Sequence, residues 1–153
     1  MSSTPLRPLE ILMVDDNPAD FELVRDTFEE QALPGQLCSV RDGDEALRYL
    51  KRAHPYNAAP RPDLILLDLN IPGKDGFEIL NEIRVDQELS CIPIVILTSS
   101  SSEQDIARSY QLGANAYVVK PVGLDQFSGL VRSIESFWLG TARLPAKTCR
   151  GCA

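Results

Sequence analysis

The amino-acid sequence predicts an α/β fold built on one five-stranded parallel sheet. Short apolar runs alternate five times with segments of helical period, and four of these runs are apolar throughout. Strands that are apolar on both faces are typical of a parallel sheet covered by helices on each side. With 153 residues and 44% apolar content, the chain is long enough to bury one substantial core.

The predicted strands differ in how apolar they are. Residues 11–14, 64–67, 94–97 and 117–119 are short apolar runs, whereas residues 36–40 are more polar. An edge strand tolerates polar residues better than a strand that is covered on both sides. We therefore expect residues 36–40 to form an edge strand.

Helical segments separate these strands and carry their own start and stop signals. Asn17 is a favoured N-cap, Pro18 is a favoured first helical residue, and Pro34-Gly35 ends the helix that follows. Ser102 is a second favoured N-cap, and Gly113 closes its helix. The other helices are predicted over residues 44–53, 75–86 and 124–138, where apolar residues recur at three- and four-residue spacing.

Five strand–helix units predict a flavodoxin-like (βα)5 three-layer sandwich with strand order 2-1-3-4-5. Sites in such folds form outside the carboxyl ends of the strands where the order reverses, here beside the first and third strands. We expect residues 1–8 to be an N-terminal extension, residues 9–139 the folded domain and residues 140–153 a C-terminal tail. Residues 54–62 contain three prolines and are predicted to form a longer loop.

The acidic composition narrows the expected partners. The net charge is −7 and the sequence pI is about 4.7. Binding to nucleic acid or to an anionic membrane depends on Lys and Arg, so we expect neither partner. The chain has no apolar stretch of about 18 residues and no apolar signal segment near residue 1, which predicts a cytoplasmic location.

The four cysteines predict no disulfide framework. Cys38 and Cys91 lie in or beside apolar runs, where a thiol usually behaves as a small hydrophobic residue. Cys149 and Cys152 form one C-x-x-C pair, which is half of a zinc site, and the sequence has no second pair. We expect these two thiols to lie in the tail, and their role stays open.

Reactive side chains follow four of the five strands. Asp15-Asp16 follows the first strand, Asp68 the third, Thr98 the fourth and Lys120 the fifth. Taken singly, each has an ordinary interpretation, such as a solvated turn, a strand-end hydroxyl or a surface lysine. Because parallel strands end at one edge of the sheet, these groups are expected to share one crevice.

The oxygen-rich part of this set predicts a site for Mg²⁺. Crowded carboxylates need a compensating cation, and magnesium prefers oxygen ligands together with retained waters. Asp16 and Asp68 are the expected direct ligands, and Asp15 is expected to hold a metal-bound water. A backbone carbonyl near Asn70 completes the expected protein ligands.

Asp68 is the expected nucleophile of this crevice. A carboxylate can attack phosphorus and form an acyl phosphate, and the protein then contributes mainly positioning and charge neutralisation. Lys120, held at a strand end by Pro121, is the expected cationic partner of the phosphoryl group. The predicted chemistry is a switch driven by phosphorylation of an aspartate.

The chain resembles the receiver domain of bacterial two-component response regulators over about residues 9 to 138. The matching residues are Asp15-Asp16, Asp68 with Pro72 and Gly76, Thr98, and Tyr117 with Lys120-Pro121. Four further segments resemble more particularly the single-domain regulators paired with phytochrome histidine kinases. They are Asn17-Pro-Ala-Asp20, the Pro55-Tyr56 loop, the run from Arg61 to Asn70, and Ser136-Phe-Trp138.

The resemblance implies roles for individual residues. Asp68 would take a phosphoryl group from a kinase histidine, and Lys120 would contact the phosphoryl oxygens. Thr98 and Tyr117 would form a coupled switch. The peptide bond between Lys120 and Pro121 is expected to be cis.

The resemblance also implies partners. The kinase would be a bacteriophytochrome, and the surface of the fourth helix, fifth strand and fifth helix would bind partners and form a homodimer. Phe137, Trp138 and Leu139 crowd the end of the fifth helix, where they fit either a contact surface or core packing. The implied protein is a signalling protein and not an enzyme, since it catalyses only its own phosphorylation and dephosphorylation.

Other functions fit the sequence less well. A phosphatase with an aspartate nucleophile of the haloacid type needs a second acid two residues later, where this chain has Asn70. A flavodoxin-type cofactor carrier needs a phosphate-binding loop after the first strand, where Asp15-Asp16 would repel a phosphate. A phosphate sink and an unphosphorylated receiver-like scaffold stay open as alternatives.

Overall fold

The computed structural model of the protein describes residues 8–145. Five strands and five α-helices alternate along this part of the chain, followed by a short π-helix. The strands are β1 (Leu9–Val14), β2 (Gly35–Val40), β3 (Leu64–Leu67), β4 (Ile94–Thr98) and β5 (Ala116–Val119). The helices are α1 (Pro18–Glu30), α2 (Gly43–Leu50), α3 (Gly76–Val85), α4 (Glu103–Gln111) and α5 (Leu124–Glu135), and the π-helix is Ser136–Thr141. Cys149, Cys152 and residues 1–7 of the expected extension lie outside the described residues.

The strands form one parallel sheet in the order β2-β1-β3-β4-β5, which confirms the predicted topology and the edge position of β2. The register aligns the last residues of the central strands, since Val14 pairs with Leu67 and Leu67 pairs with Ile96. Asp15 and Asp68 each follow one of these aligned residues. Two acidic residues that are 53 positions apart in sequence therefore leave the sheet at the same level.

The sheet lies between two hydrophobic clusters, which makes the fold a three-layer sandwich. Residues of β1 alternate between them: Leu12 and Val14 pack with α2 and α3 on one face, and Ile11 and Met13 pack with α1 and α5 on the other. This arrangement explains why the strand is apolar at every position. It also fixes the five strand ends rigidly at the edge where the candidate site lies.

Side-chain caps fix the helices that begin at this edge. The Asn17 side chain accepts hydrogen bonds from the backbone N–H groups of Ala19 and Asp20. Asp75 and Glu78 form a reciprocal capping box at the start of α3, and Ser102 caps α4. The caps therefore fix where each of these helices starts relative to the ends of the strands.

Gly76 allows α3 to begin directly against the end of β3. A Cβ atom at this position would lie 2.6 Å from the carbonyl oxygen of Asp68 and from the Cα of Leu69. Only glycine fits so close to another backbone, and the contact presses the loop that carries Asp68 against the helix.

The structure differs from the expected end of the last helix. We predicted an α-helix to residue 138, but α5 ends at Glu135 and continues as the π-helix, in which Ala142 N–H donates to Phe137 O. The wider turn places Leu139 five residues after Ile134, and both side chains are buried in the same cluster while Phe137 is exposed. Burial of Leu139 explains the change of helical pitch.

The expected cis peptide bond before Pro121 is wrong for this structure. Among the described residues the cis bond is His54–Pro55, in the proline-containing loop. The trans form is the intrinsically favoured state of an X–Pro bond. With that form, Lys120 N–H donates to Thr98 O at 2.7 Å and the Lys120 side chain still reaches the strand-end carboxylates.

Candidate functional site

The candidate site begins with two carboxylates that the parallel sheet brings together. Asp15 N–H donates to Val40 O on β2, and Asp68 N–H donates to Val14 O on β1. Both backbones thus continue the hydrogen bonding of the sheet one residue beyond its strands, and both side chains are almost fully buried. The sequence prediction that these two acids share a crevice agrees with this geometry.

Lys120 connects the two carboxylates and adds a third. Its Nζ lies 2.7 Å from Asp15 Oδ2, 3.0 Å from Asp68 Oδ2 and 2.8 Å from Asp20 Oδ2. An ammonium group has three N–H donors, so each donor has one carboxylate partner. Charge-assisted bonds of this length are among the stronger hydrogen bonds in proteins.

The pKa values of two groups reflect this mixture of burial and pairing. Burial alone would lower the pKa of Lys120, but hydrogen bonds to Asp15 and Asp20 and the nearby negative charges raise it above its usual value. Burial raises the pKa of Asp15, and the bonds from Lys120 and from the Asn17 backbone only partly offset that effect. Lys120 is therefore a permanent cation in the crevice.

In Asp15 and in Asp68, one carboxylate oxygen accepts a hydrogen bond from the loop backbone and the other accepts one from Lys120. Asn17 N–H donates to Asp15 Oδ1 at 2.9 Å, and Asn70 N–H donates to Asp68 Oδ1 at 3.1 Å. The other oxygen of each carboxylate is the one that faces Lys120. Two tight turns therefore hold both carboxylates in a fixed orientation.

A cleft of about 540 Å³ opens onto these groups. Asp15, Asp16, Asp68, Asn70 and Lys120 all line it. The Asp16 side chain is exposed, unlike those of its two acidic neighbours. The cleft therefore offers carboxylate and amide oxygens together with an ammonium group.

This set of donors fits a hydrated magnesium ion. Among residues 8–145, no three His, Cys, Asp or Glu side chains are arranged to enclose a metal ion by themselves. Magnesium needs no such enclosure, since it retains several waters and binds through one or two carboxylates. The hard oxygen donors of Asp16 and Asp68 at an open, water-accessible cleft suit that mode of binding.

Thr98 is more deeply buried than the carboxylates, whereas Tyr117 is only half-buried. Thr98 is fully buried at the end of β4, and the neighbouring Ser99 lines the cleft. Thr98 Oγ1 lies 3.5 Å from Ser100 N, and the Tyr117 hydroxyl donates to Ser100 O at 2.9 Å. The two expected switch residues thus meet through the backbone of Ser100. Partial burial raises the pKa of Tyr117, although its bond to Ser100 opposes that effect.

Asp20 is the residue of this cluster to which our sequence analysis gave no role in the site. An acid in the first turn of a helix is ordinarily explained by its favourable interaction with the helix dipole. The available signal was its position, because Asp20 is the third residue of α1 and Asn17-Pro18 fixes where that helix starts.

The part of the chain that the structure describes has no helix that is both long enough and apolar enough to cross a lipid bilayer. This finding concerns residues 8–145 only.

Comparison with known proteins identifies the class to which this fold and site belong. Residues 11–132 match the response regulator receiver domain family. The chain belongs to that family, a family of signalling regulators. The receiver resemblance deduced from the strand-end residues is therefore confirmed.

Several similar proteins of this family are response regulators of the phytochrome type. Response regulator Rcp1 of Synechocystis sp. is 43% identical over 95% of this chain and 99% of its own length. The solved structure of its Mn²⁺-bound form has a TM-score of 0.88 and 44% identity and covers 91% of this chain and 100% of that chain.

Two further similar structures are those of phytochrome response regulators. The phosphorylated cyanobacterial phytochrome response regulator RcpA has a TM-score of 0.88 and 46% identity and covers 92% of this chain and 100% of that chain. The bacteriophytochrome response regulator AtBRR has a TM-score of 0.70 and 42% identity, with coverage of 92% and 99%. The resemblance to phytochrome response regulators is thus also confirmed.

Proposed function

We propose that this receiver accepts a phosphoryl group on Asp68 from a histidine kinase. The observation that carries the proposal is the position of the Asp68 carboxylate, which lines an open cleft and lies 3.0 Å from the Lys120 ammonium group. The existence of a solved structure of phosphorylated RcpA, which is 46% identical to this chain, supports it.

The proposed transfer balances as a simple displacement at phosphorus. A carboxylate oxygen of Asp68 forms a new O–P bond while the N–P bond of the phosphohistidine breaks, and its electron pair stays on the imidazole. Lys120 then neutralises negative charge on the phosphoryl oxygens, since its Nζ already lies 3.0 Å from the Asp68 carboxylate. The Asn70 N–H orients the same carboxylate through Oδ1.

We propose that Mg²⁺ is the divalent ion of this site. Asp16 and Asp68 would bind it directly, Asp15 would hold one of its waters, and the Asn70 backbone carbonyl would add another oxygen. The Mn²⁺-bound structure of Rcp1 supports a divalent ion in general. Bound there, magnesium supplies positive charge that offsets the charge of the phosphoryl oxygens.

The proposed phosphoryl donor is a bacteriophytochrome kinase in the cytoplasm. The similarity to the phytochrome regulator RcpA and to the bacteriophytochrome regulator AtBRR supports this partner. The acidic charge of the chain supports the further proposal that neither nucleic acid nor an anionic membrane is a partner.

The proposed readout is a change in the Thr98–Ser100–Tyr117 connection. The Thr98 hydroxyl would move to a phosphoryl oxygen, which changes its contact with the Ser100 backbone. The Tyr117 hydroxyl is bonded to the same residue, so its position would respond. Phosphorylation would then shift the populations of two arrangements of the surface formed by α4, β5 and α5.

Substitution of the acceptor tests the proposed function directly. We expect Asp68→Asn to abolish transfer of labelled phosphate from an autophosphorylated phytochrome kinase, because an amide oxygen is a far weaker nucleophile than a carboxylate. Asp26→Asn is the matched control, since Asp26 is an exposed acid further along α1. Label that persists in the Asp68 variant, or that is lost equally in the Asp26 variant, would refute the assignment.

We also propose a homodimer through α4, β5 and α5. Tyr110 and Val119 on these elements, and Val122 and Leu124 in and after the loop that follows β5, are large apolar side chains that are exposed. Exposure of large apolar side chains on these elements supports an interaction surface there. We expect sedimentation to give a dimer mass in the presence of beryllofluoride, which mimics the phosphoryl group. A monomer mass both with and without it would rule the dimer out.

A further inference from the structure

Asp20 is the partner of Lys120 that comes from a helix and not from a strand end. Its carboxylate lies 2.8 Å from Lys120 Nζ and lines the same cleft as Asp68. The side chain of Asp20 is 17% exposed, against 2% for Asp15 and 9% for Asp68. Asp15 and Asp68 each accept a backbone hydrogen bond as well, which fixes them to their own turns.

These differences in exposure and in backbone hydrogen bonding decide which carboxylate releases its bond to Lys120 when a phosphoryl group arrives. The three N–H donors of Lys120 already have three acceptors, so a phosphoryl oxygen gains a donor only if one carboxylate gives up its bond. The most solvated carboxylate loses least on release, because water replaces the lost partner. Asp68 is the attacking group, so the choice lies between Asp15 and Asp20, and by this criterion Asp20 is the carboxylate that yields.

We infer that Asp20 is a positioning residue for phosphoryl transfer. Its contact holds the Lys120 ammonium group at the cleft, and its charge slows the entry of anionic phosphoryl donors. The inference rests on the proposed function of Asp68. Two effects of one side chain follow from it, and they have opposite signs. The contact keeps Lys120 in place beside Asp68, whereas the negative charge repels the incoming phosphate.

Two substitutions separate the contact from the charge. Asparagine at position 20 retains an oxygen that can accept a hydrogen bond from Lys120 but removes the charge. Alanine removes both. A residue with only a structural role would give no salt-dependent gain on loss of its charge, so the salt dependence of the rate is the diagnostic measurement.

The experiment uses acetyl phosphate as donor with saturating Mg²⁺, and intact-protein mass spectrometry measures the phosphorylated fraction over time. In this reaction an Asp68 oxygen forms the new bond to phosphorus, the P–O bond to the acetyl group breaks, and acetate leaves with the electron pair. We expect Asp20→Asn to react about fivefold faster than the unmodified protein at low salt, in line with removal of one charge near a dianion. The gain should vanish at about 0.5 M salt, where charges are screened over a few ångströms.

We expect Asp20→Ala to react more slowly than Asp20→Asn at both salt concentrations, because Lys120 loses a partner that holds it. Asp26→Asn is the control, since Asp26 lies on the same helix about 9 Å further along the axis. The inference is overturned if Asp20→Asn shows no gain, if Asp26→Asn shows the same gain, or if the alanine and asparagine variants react equally fast. The proposed function fails separately, if the unmodified protein takes no phosphoryl group or if Asp68→Asn still takes one.

Discussion

Replacement of Lys120 by methionine is expected to lower the free energy of unfolding by about 3 kcal/mol when no divalent cation is present. The substitution keeps much of the apolar stem of the side chain and removes the charge. Asp15, Asp20 and Asp68 then lose the cation that lies within 3.0 Å of each of them. Loss of one partner from a buried ion pair is costly because the remaining charge is left desolvated. Urea unfolding followed by circular dichroism measures the change.

Lys74→Met is the matched control for this prediction. Lys74 Nζ lies 2.7 Å from Glu82 Oε2, the same distance as between Lys120 and Asp15, but these two side chains are 41% and 29% exposed. Solvent screens such a pair, so its loss should change stability far less than the loss of Lys120. Equal losses in the two variants would show that burial of the acidic cluster has no energetic consequence.

Magnesium provides a second test of the same cluster. Added Mg²⁺ should restore more stability to the Lys120 variant than it adds to the unmodified protein, because the variant presents three uncompensated carboxylates. The midpoint of urea unfolding as a function of Mg²⁺ concentration measures this difference. An identical response of the two proteins would contradict the expectation that the ion and Lys120 neutralise the same charges.

The sequence was sufficient to predict the fold because its signals are local and agree with one another. Strands such as residues 64–67 and 94–97 are apolar at every position, and this pattern requires cover on both faces of the sheet. Caps such as Asn17 and Ser102 fix the helix starts. The end of α5 was not predictable in this way, because both α- and π-helical continuations of residues 136–141 have apolar residues available, and only the burial of Leu139 favours the wider turn.

The site was predictable only as far as the sheet itself places it. Residues directly after parallel strands share one edge, which was enough to group Asp15, Asp68 and Lys120. The position of Asp20 depends on the direction of α1 and on the reach of a long lysine side chain. The link from Tyr117 to Ser100 O depends on the conformation of an aromatic side chain. Neither of these can be deduced from residue spacing.

A second large effect is expected at Glu135, an acid buried between α1 and α5. Thr27 Oγ1 lies 2.9 Å from Val24 O and 3.0 Å from Glu135 Oε2, yet a hydroxyl has only one hydrogen to donate. All contacts are satisfied if Glu135 is protonated, because its own O–H then donates to Thr27 while Thr27 donates to Val24. The Gln31 side-chain amide donates to the other oxygen of Glu135 in either state.

The pKa of Glu135 agrees with this arrangement. Burial raises it from 4.5 to about 7, although hydrogen bonds from Thr27 and Gln31 favour the charged form. In the unfolded chain the group titrates at its ordinary value. The folded state therefore binds the proton more tightly, and stability falls as pH rises between about 4.5 and about 7.

Glu135→Gln should remove this pH dependence. The amide N–H can donate to Thr27 Oγ1 and the amide oxygen can accept from Gln31, so glutamine reproduces the hydrogen bonds of the protonated acid. We expect the variant to match the unmodified protein near pH 4.5 and to exceed it by up to about 3 kcal/mol at pH 8, since each pKa unit corresponds to about 1.4 kcal/mol. Free energies of unfolding from urea titrations at a series of pH values measure the difference.

Glu22→Gln is the control for that comparison, because it makes the same change of side chain at an exposed position on α1. A Glu135→Gln profile that runs parallel to that of the unmodified protein would mean that folding does not raise the pKa of Glu135, so that Glu135 is ionised in the folded state above about pH 5. The Thr27 hydroxyl would then have to leave one of its two acceptors unpaired. The α1–α5 contact at this end of the molecule would be held by a buried charge and not by a neutral hydrogen-bonded acid, and its weakening at high pH would disappear.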